Sequence, residues 1–181
     1  PTVYMWGCQV EIGSYATSYI PTLGSTVTRN IENFTRTGIG DLIGTEGVFF
    51  IEMAALSDDL TNRVISLNDG TSSNRLMLYY NTISNTISTA LTVGGSTSSI
   101  AYVVSDETSF NKVAVRYKTN DITLWVNGQS RGVPITSATI PVFTALKFDS
   151  GSGASEFFGK VRQLQVYKTA LSDTQLGALT T

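Results

Sequence analysis

FNKVAVRYKTNDITLWVNG, residues 110–128, decides the fold. Two runs alternate within it, residues 112–118 and residues 122–126. Val113, Val115 and Tyr117 share one face of the first, and Ile122, Leu124 and Val126 share one face of the second. A period of two sends successive side chains to opposite faces of a strand, so each run commits one face to a core. Asn120 and Asp121 supply turn chemistry between the runs, because both side chains can bond their own backbone. Asn127 and Gly128 mark a second tight turn, since both tolerate positive φ. The stretch therefore opens an antiparallel meander. Its other face carries Arg116, Lys118, Thr123 and Trp125. A Trp turned away from the aliphatic side is either packed by a second layer or part of a ligand surface.

Composition agrees with a β domain. The 181 residues suffice for one well-filled sandwich. Charged residues are 14% of the chain, well below the roughly 25% of average domains. Ser and Thr take their place at about a quarter of the sequence. This mix, rich in Gly and β-branched residues, favours strands joined by short turns over long helices. The net charge of −2 and the lack of a basic cluster exclude nucleic acid as an expected partner. No apolar run approaches the roughly 20 residues of a membrane span. The chain starts at Pro1 without a signal-like stretch, and is expected to be a mature or excised piece of something longer. The single Cys8 has no internal disulfide partner and is expected to be a small buried hydrophobe. With no His at all, His-dependent zinc sites and Ser–His triads are ruled out.

In chain order, residues 2–12 alternate as a strand, residues 13–25 form a Ser/Tyr-rich connection, and residues 27–36 can hold a short extended segment. Residues 47–56 are the most hydrophobic run. Phe49, Ile51 and Met53 are expected on one side, with Val48, Phe50 and Glu52 on the other. A lone Glu in such a strand is expected on the outward face or paired with an Arg. Further strands are expected at residues 63–67, 75–80, 83–93, 99–104, 145–148 and 157–167. Residues 149–156, DSGSGASE, read as a polar loop. Ser172 and Gln175 form a capping-box pattern that starts a short helix to Leu179. About a dozen strands at regular spacing, with no internal repeat, indicate an all-β, two-sheet antiparallel β-sandwich with a short C-terminal helix.

FNKVAVRY at 110–117, ITLWVNG at 122–128, FFGKVRQLQVY at 157–167 and ALS at 170–172 resemble the laminin-G-like branch of the concanavalin A-like lectin/glucanase superfamily. The resemblance covers residues 47–179. At the start, WGCQVE at 6–11, SYATSYIPT at 14–22 and STVTR at 25–29 resemble a segment of bacteriophage virion proteins that links an upstream module to a laminin-G-like jelly roll. The chain is thus expected to form one domain over 1–181, with residues 1–22 as a candidate closing strand and linker of an upstream module. The resemblance implies a jelly roll that binds glycans, sits on a virion surface as a fibre, spike or decoration domain, or stabilises an assembly. Other virion subunits are then expected partners, and a homo-oligomer a candidate state.

Catalysis is not expected. Glucanase relatives carry strand-borne carboxylates in an E-x-D-x-x-E spacing, whereas here Ala54 and Ala55 follow Glu52. Glycoside hydrolysis needs two carboxyl groups about 5–10 Å apart, and no strand offers the pair. A lyase with Tyr79 as base beside Arg75 or Arg116 is the weaker enzymatic alternative. Sugar recognition instead needs aromatic faces ringed by amides, carboxylates and Arg. The candidate ligand residues are Trp125, Tyr79, Arg116, Arg75, Glu52, Gln163 and Gln165. They would form one aromatic–polar surface if their strands neighbour each other in one sheet. Calcium at a loop rim is a feature of many laminin-G-like domains, and Asp69 and Asp149 are its candidate ligands here. The alternative to a lectin is a capsid-decorating domain whose outward aromatics meet protein.

Overall fold

The computed structural model describes residues 2–4, 7, 10, 18–21, 24, 25, 27 and 34–181. The chain divides into two compact units, Pro1–Glu32 and Asn33–Thr181. Of the first expected strand, residues 2–4, 7 and 10 are described and are not in a strand. The rest of residues 2–12, Cys8 included, lies outside the described residues, as does most of the extended segment expected before Arg36.

The second unit is the expected sandwich. A six-stranded sheet has the order β1 (Thr35–Thr37), β10 (Ala145–Lys147), β3 (Arg63–Asn68), β4 (Arg75–Tyr80), β5 (Thr86–Val93), β6 (Ser96–Val103). A five-stranded sheet has the order β11 (Gly159–Tyr167), β2 (Gly47–Ala55), β7 (Asn111–Lys118), β8 (Asp121–Val126), β9 (Gln129–Ile135). All pairings are antiparallel. Helix α1, Asp173–Leu179, closes the chain.

The β7–β8 hairpin behaves as its alternation dictates. Val113, Val115 and Tyr117 face Val126, Leu124 and Ile122 in register, and all six are fully buried. Burying a side chain of this size contributes about 1.5–3 kcal/mol, so this patch alone anchors the core. Phe49, Ile51 and Met53 of β2 join it from one side. Ile65, Leu67, Leu76, Leu78, Tyr80, Ile87 and Leu91 close it from the opposite sheet. Asn127 and Gly128 both take positive φ, +48° and +84°, as a two-residue hairpin turn requires. The first turn sits one residue earlier than expected, because Asn120 takes the left-handed position and Asp121 already belongs to β8. Likewise residues 83–85 form a turn, not the start of β5, since Asn85 adopts φ +53°. A bulge between Val161 and Gln163 shifts the register of β11 against β2.

Candidate functional site

The sandwich splits the sequence-derived candidates between its two outer surfaces. Arg75 and Tyr79 stand on β4 and point away from the core, on the outer face of the six-stranded sheet. Glu52, Arg116, Trp125, Gln163 and Gln165 belong to β2, β7, β8 and β11 of the other sheet. The condition that would unite all seven, strands neighbouring each other in one sheet, is not met.

On the five-stranded sheet four of the five candidates are held in structural contacts. Trp125 is 8% exposed and packs with Val48, Phe50, Ala114 and Leu176 beneath α1. The expectation of an open aromatic face at Trp125 is therefore corrected: the terminal helix covers the ring. Arg116 is committed as well. Its guanidinium pairs with Asp173 of α1 at 2.5 Å and with Asp121 at 3.2 Å. Glu52 pairs with Arg162 at 2.9 Å, and Arg162 lies 3.7 Å from the centre of the Phe110 ring. Gln165 accepts from the Tyr167 hydroxyl, while Gln163 is exposed opposite Glu52.

The six-stranded sheet carries a groove. Alternation along β4 sends Leu76, Leu78 and Tyr80 into the core and leaves Arg75, Met77 and Tyr79 outside. Val64, Met77 and Ala90 form a small apolar floor, with Tyr79 packed against it. The loop 149–155 folds back over this floor. Arg75 Nη1 donates to the Ser150 carbonyl at 2.5 Å, and Lys147 Nζ donates to the Gly151 carbonyl at 2.8 Å. The Gly151 N–H donates to Asp149 Oδ1, and the Val64 N–H to the Ser155 carbonyl. Gly151 is required there: its φ is +92°, and a Cβ would stand 3.1 Å from the Thr71 carbonyl oxygen. The resulting groove has a volume of about 320 Å³. Arg75, Met77 and Tyr79 line it with Asn62, Val64, Ser72 and the loop serines 150, 152 and 155.

The groove is polar and carries one positive charge among the described residues that line it. Arg75 is the only charged residue among the described residues of the lining. Among the described residues, no carboxylate forms an ion pair with Arg75 or Lys147. Burial pushes the Tyr79 phenol above its ordinary range, against a bond with Ser88, so Tyr79 stays neutral. A second depression of about 340 Å³, lined by Leu91, Val93, Ser96, Ser98 and Asn120 among others, has neither an aromatic ring nor a charge. Sequence reasoning missed Asn62, Ser72 and the loop serines. Residues 149–156 were legible only as a polar loop, and their return over β4 is a long-range event.

Asp69 and Asp149 do not fit a calcium site. Asp69 accepts from the Thr71 N–H and hydroxyl and from Asn74, bonds that hold its carboxyl below the usual range. Asp149 is 1% exposed and turns to the Gly151 N–H. A hard cation needs several free oxygens converging on one point, and among the described residues no three acidic groups do so.

A family profile of laminin G type, described as the concanavalin A-like lectin/glucanases superfamily, matches residues 49–177. The chain belongs to this superfamily. No curated protein sequence matches it. Solved structures of the same fold include a CBM40 domain of a Ruminococcus gnavus IT-sialidase bound to α2,3-sialyllactose. It is 20% identical, covers 78% of this chain and 85% of its own, and superposes with a TM-score of 0.61. A structure of botulinum neurotoxin type C, whose cell entry depends on two ganglioside molecules, is 13% identical. The alignment covers 82% of this chain and 39% of the toxin chain, with a TM-score of 0.61. A heptameric pentraxin from Limulus polyphemus is 14% identical over 76% of this chain and 70% of its own, with a TM-score of 0.58. At these identities the likeness is one of fold. Within the superfamily fold, the groove on β4 is the described feature that joins an aromatic ring, a cation and several hydroxyls.

Proposed function

We propose that this domain binds glycans in the β4 groove and does no chemistry on them. The observation that carries the reading is the meeting of half-buried Tyr79 and ion-pair-free Arg75 with a rim of serines. A phenol face suits the C–H surface of a sugar ring, and serines and an amide suit its hydroxyls. Arg75, in a lining without acidic residues, favours a sugar that carries a carboxylate, because a guanidinium bonds carboxylates through charge-assisted pairs. Fold relatives crystallised with sialyllactose are consistent with that class. The absence of acidic residues from the lining also separates the reading from a hydrolase, which needs two carboxyl groups.

A groove this small holds about one sugar residue. A dissociation constant of about 0.1–1 mM, roughly −4 to −5.5 kcal/mol, is expected for a single site. Useful avidity then comes from several copies displayed together. A virion surface provides such display, and the sequence resemblance of residues 6–29 to phage proteins is the ground for placing the domain there. The reading needs no metal, so binding is expected to survive a chelator.

The test is a glycan array probed with the multivalently displayed domain, beside Arg75→Ala and Tyr79→Ala. Binding to acidic glycans that both variants lose bears the reading out. A folded domain that binds nothing, or binds equally well in both variants, overturns it in favour of an assembly role.

A further inference from the structure

Three loops meet over one carboxyl at an end of the sandwich. Glu107 is 3% exposed, and its Oε2 is buried without a hydrogen-bond partner. The surroundings are its own backbone and two other loops. The Glu107 carbonyl accepts from Ala55 at the end of β2, at 2.7 Å. The Glu107 N–H donates to Asn85 Oδ1 at 3.0 Å, and the Asn85 carbonyl accepts from Val104. Ser84 in turn donates to Asp58, tying the loop 81–85 to the loop 56–62.

Three carboxylates act on Glu107 with its own sign. Asp58 and Asp59 approach from the loop 56–62, and Asp106 precedes it in the chain. From β4 comes the Tyr80 hydroxyl, which is buried and unpartnered. The Thr86 N–H of β5 is the one group that favours the ionised form. Arg63 pairs with Asp59 at 2.7 Å. An ionised carboxylate in this place would be desolvated, uncompensated and repelled.

The loop 56–62 carries backbone strain and buried polar atoms without partners. Leu60 takes φ +56°, a left-handed conformation that strains a residue with a Cβ. Ser57 Oγ and Asn62 Oδ1 are both buried without a partner. Under-satisfied, strained segments of this kind open first.

We propose that Glu107 is a proton-operated latch: in its neutral form it lets the loops 56–62, 81–85 and 104–110 close together, and its ionisation loosens them, the groove residue Asn62 included. The latch stands whether or not the groove binds glycans.

The direction in pH follows from the shift. Burial, then Asp58, Asp59 and Asp106, push the Glu107 carboxyl up to about 7 from an unfolded value of 4.5. The folded state thus holds a proton that the unfolded state has released between those values. Stability is greatest near pH 5, falls as pH rises through 7, and is level above that. Asp59 and Asp106 lie below the usual range and titrate only in stronger acid. With no His in the sequence, the usual source of sensitivity near neutrality is missing.

Urea unfolding of the full chain at pH 5.5 and 8.5 tests the latch, with hydrogen exchange read on the loop 56–62 and corrected for intrinsic rates. The folding equilibrium constant is expected to fall by roughly thirtyfold between the two conditions, with protection lost first at residues 57–62. Glu107→Gln is expected to flatten the dependence and keep the loop protected at pH 8.5. If Glu107→Gln does not fold, Asp58→Asn serves instead, and is expected to move the transition to lower pH, because removing a like charge eases the ionisation of Glu107; a transition unmoved by it counts against the latch. A wild type equally stable at both conditions, or a Glu107→Gln variant with the full dependence, overturns the proposal.

Discussion

Arg116 on β7 and Asp173, the first residue of α1, form a 2.5 Å ion pair across 57 positions of sequence. The same guanidinium reaches the Leu171 carbonyl just before the helix. One side chain therefore fixes both the approach of the chain to α1 and its first turn, where a carboxylate also suits the helix dipole. Ser172 completes the start with a capping box to Gln175. Asp173 is 70% exposed on its side chain and Arg116 only 13%, so the two ends of the pair are unequal. Asp173→Ala is expected to cost about 0.5 kcal/mol, as exposed partners do. Arg116→Ala is expected to cost about 1–3 kcal/mol, because it also strips Asp121 of its partner and removes packing. Denaturant unfolding checks both, and equal losses would show that the pair does not act as described.

Trp125 lies under that helix, which sets up a contrast with the groove. Trp125→Ala is expected to cost about 3–5 kcal/mol through the cavity left among Val48, Phe50, Ala114 and Leu176. Glycan binding by the folded fraction is expected to stay within twofold of wild type. In a Trp6→Phe background the Trp125 emission is expected to be blue, and to shift red in Arg116→Ala as α1 loosens. Loss of binding in a folded Trp125 variant would move the site to the opposite sheet.

Why the hairpin was legible and the site was not follows from the range of the contacts. Val113, Val115 and Tyr117 announce their shared face because alternation is local, and Asn127–Gly128 announces its turn for the same reason. Ser172 and Gln175 likewise declare the helix within four residues. Alternation cannot say which strands become neighbours. Arg75 and Tyr79 fell on one sheet and Trp125 on the other because of pairings such as β11 with β2, whose Arg162–Glu52 contact spans 110 positions. The cover over Trp125 is a helix about 50 residues downstream. Glu107, in the run SDETS, reads as a solvated loop residue; only the arrival of β2 and the loop 81–85 buries it.

Glu52 offers a direct check on the proposal that the domain does no chemistry on its ligand. Its side chain is 13% exposed and its partner Arg162 is 61% exposed, on the outer face of the five-stranded sheet. A pair so close to solvent contributes about 0–1 kcal/mol. Glu52→Gln is expected to leave glycan binding intact and to cost less than 1 kcal/mol in urea unfolding. Any hydrolysis of an acidic glycan by wild type that this variant abolishes would return Glu52 to the centre of the function.

The groove depends on a loop whose shape hangs on one residue. At Gly151 a side chain meets two obstacles together: a backbone at φ +92° and the Thr71 carbonyl oxygen 3.1 Å from the new Cβ, with Asn68 at 3.4 Å. Positive φ alone costs a residue with a Cβ about 1–2 kcal/mol. The neighbours on the other side are backbone and a buried Asn, neither of which can swing away. The loop 149–155 is then expected to lift, which breaks the bonds from Arg75 to Ser150 and from Lys147 to Gly151. Gly151→Ala is expected to lower stability by about 1–3 kcal/mol and to weaken glycan binding about tenfold or more. Gly153→Ala is the control: it too has positive φ, +80°, but its Cβ would meet nothing within 4 Å. It should lose about 1 kcal/mol from backbone strain alone and keep most of its binding. Equal loss of binding in the two variants would mean that loop entropy, and not the close seat of residue 151 against Thr71, sets the groove.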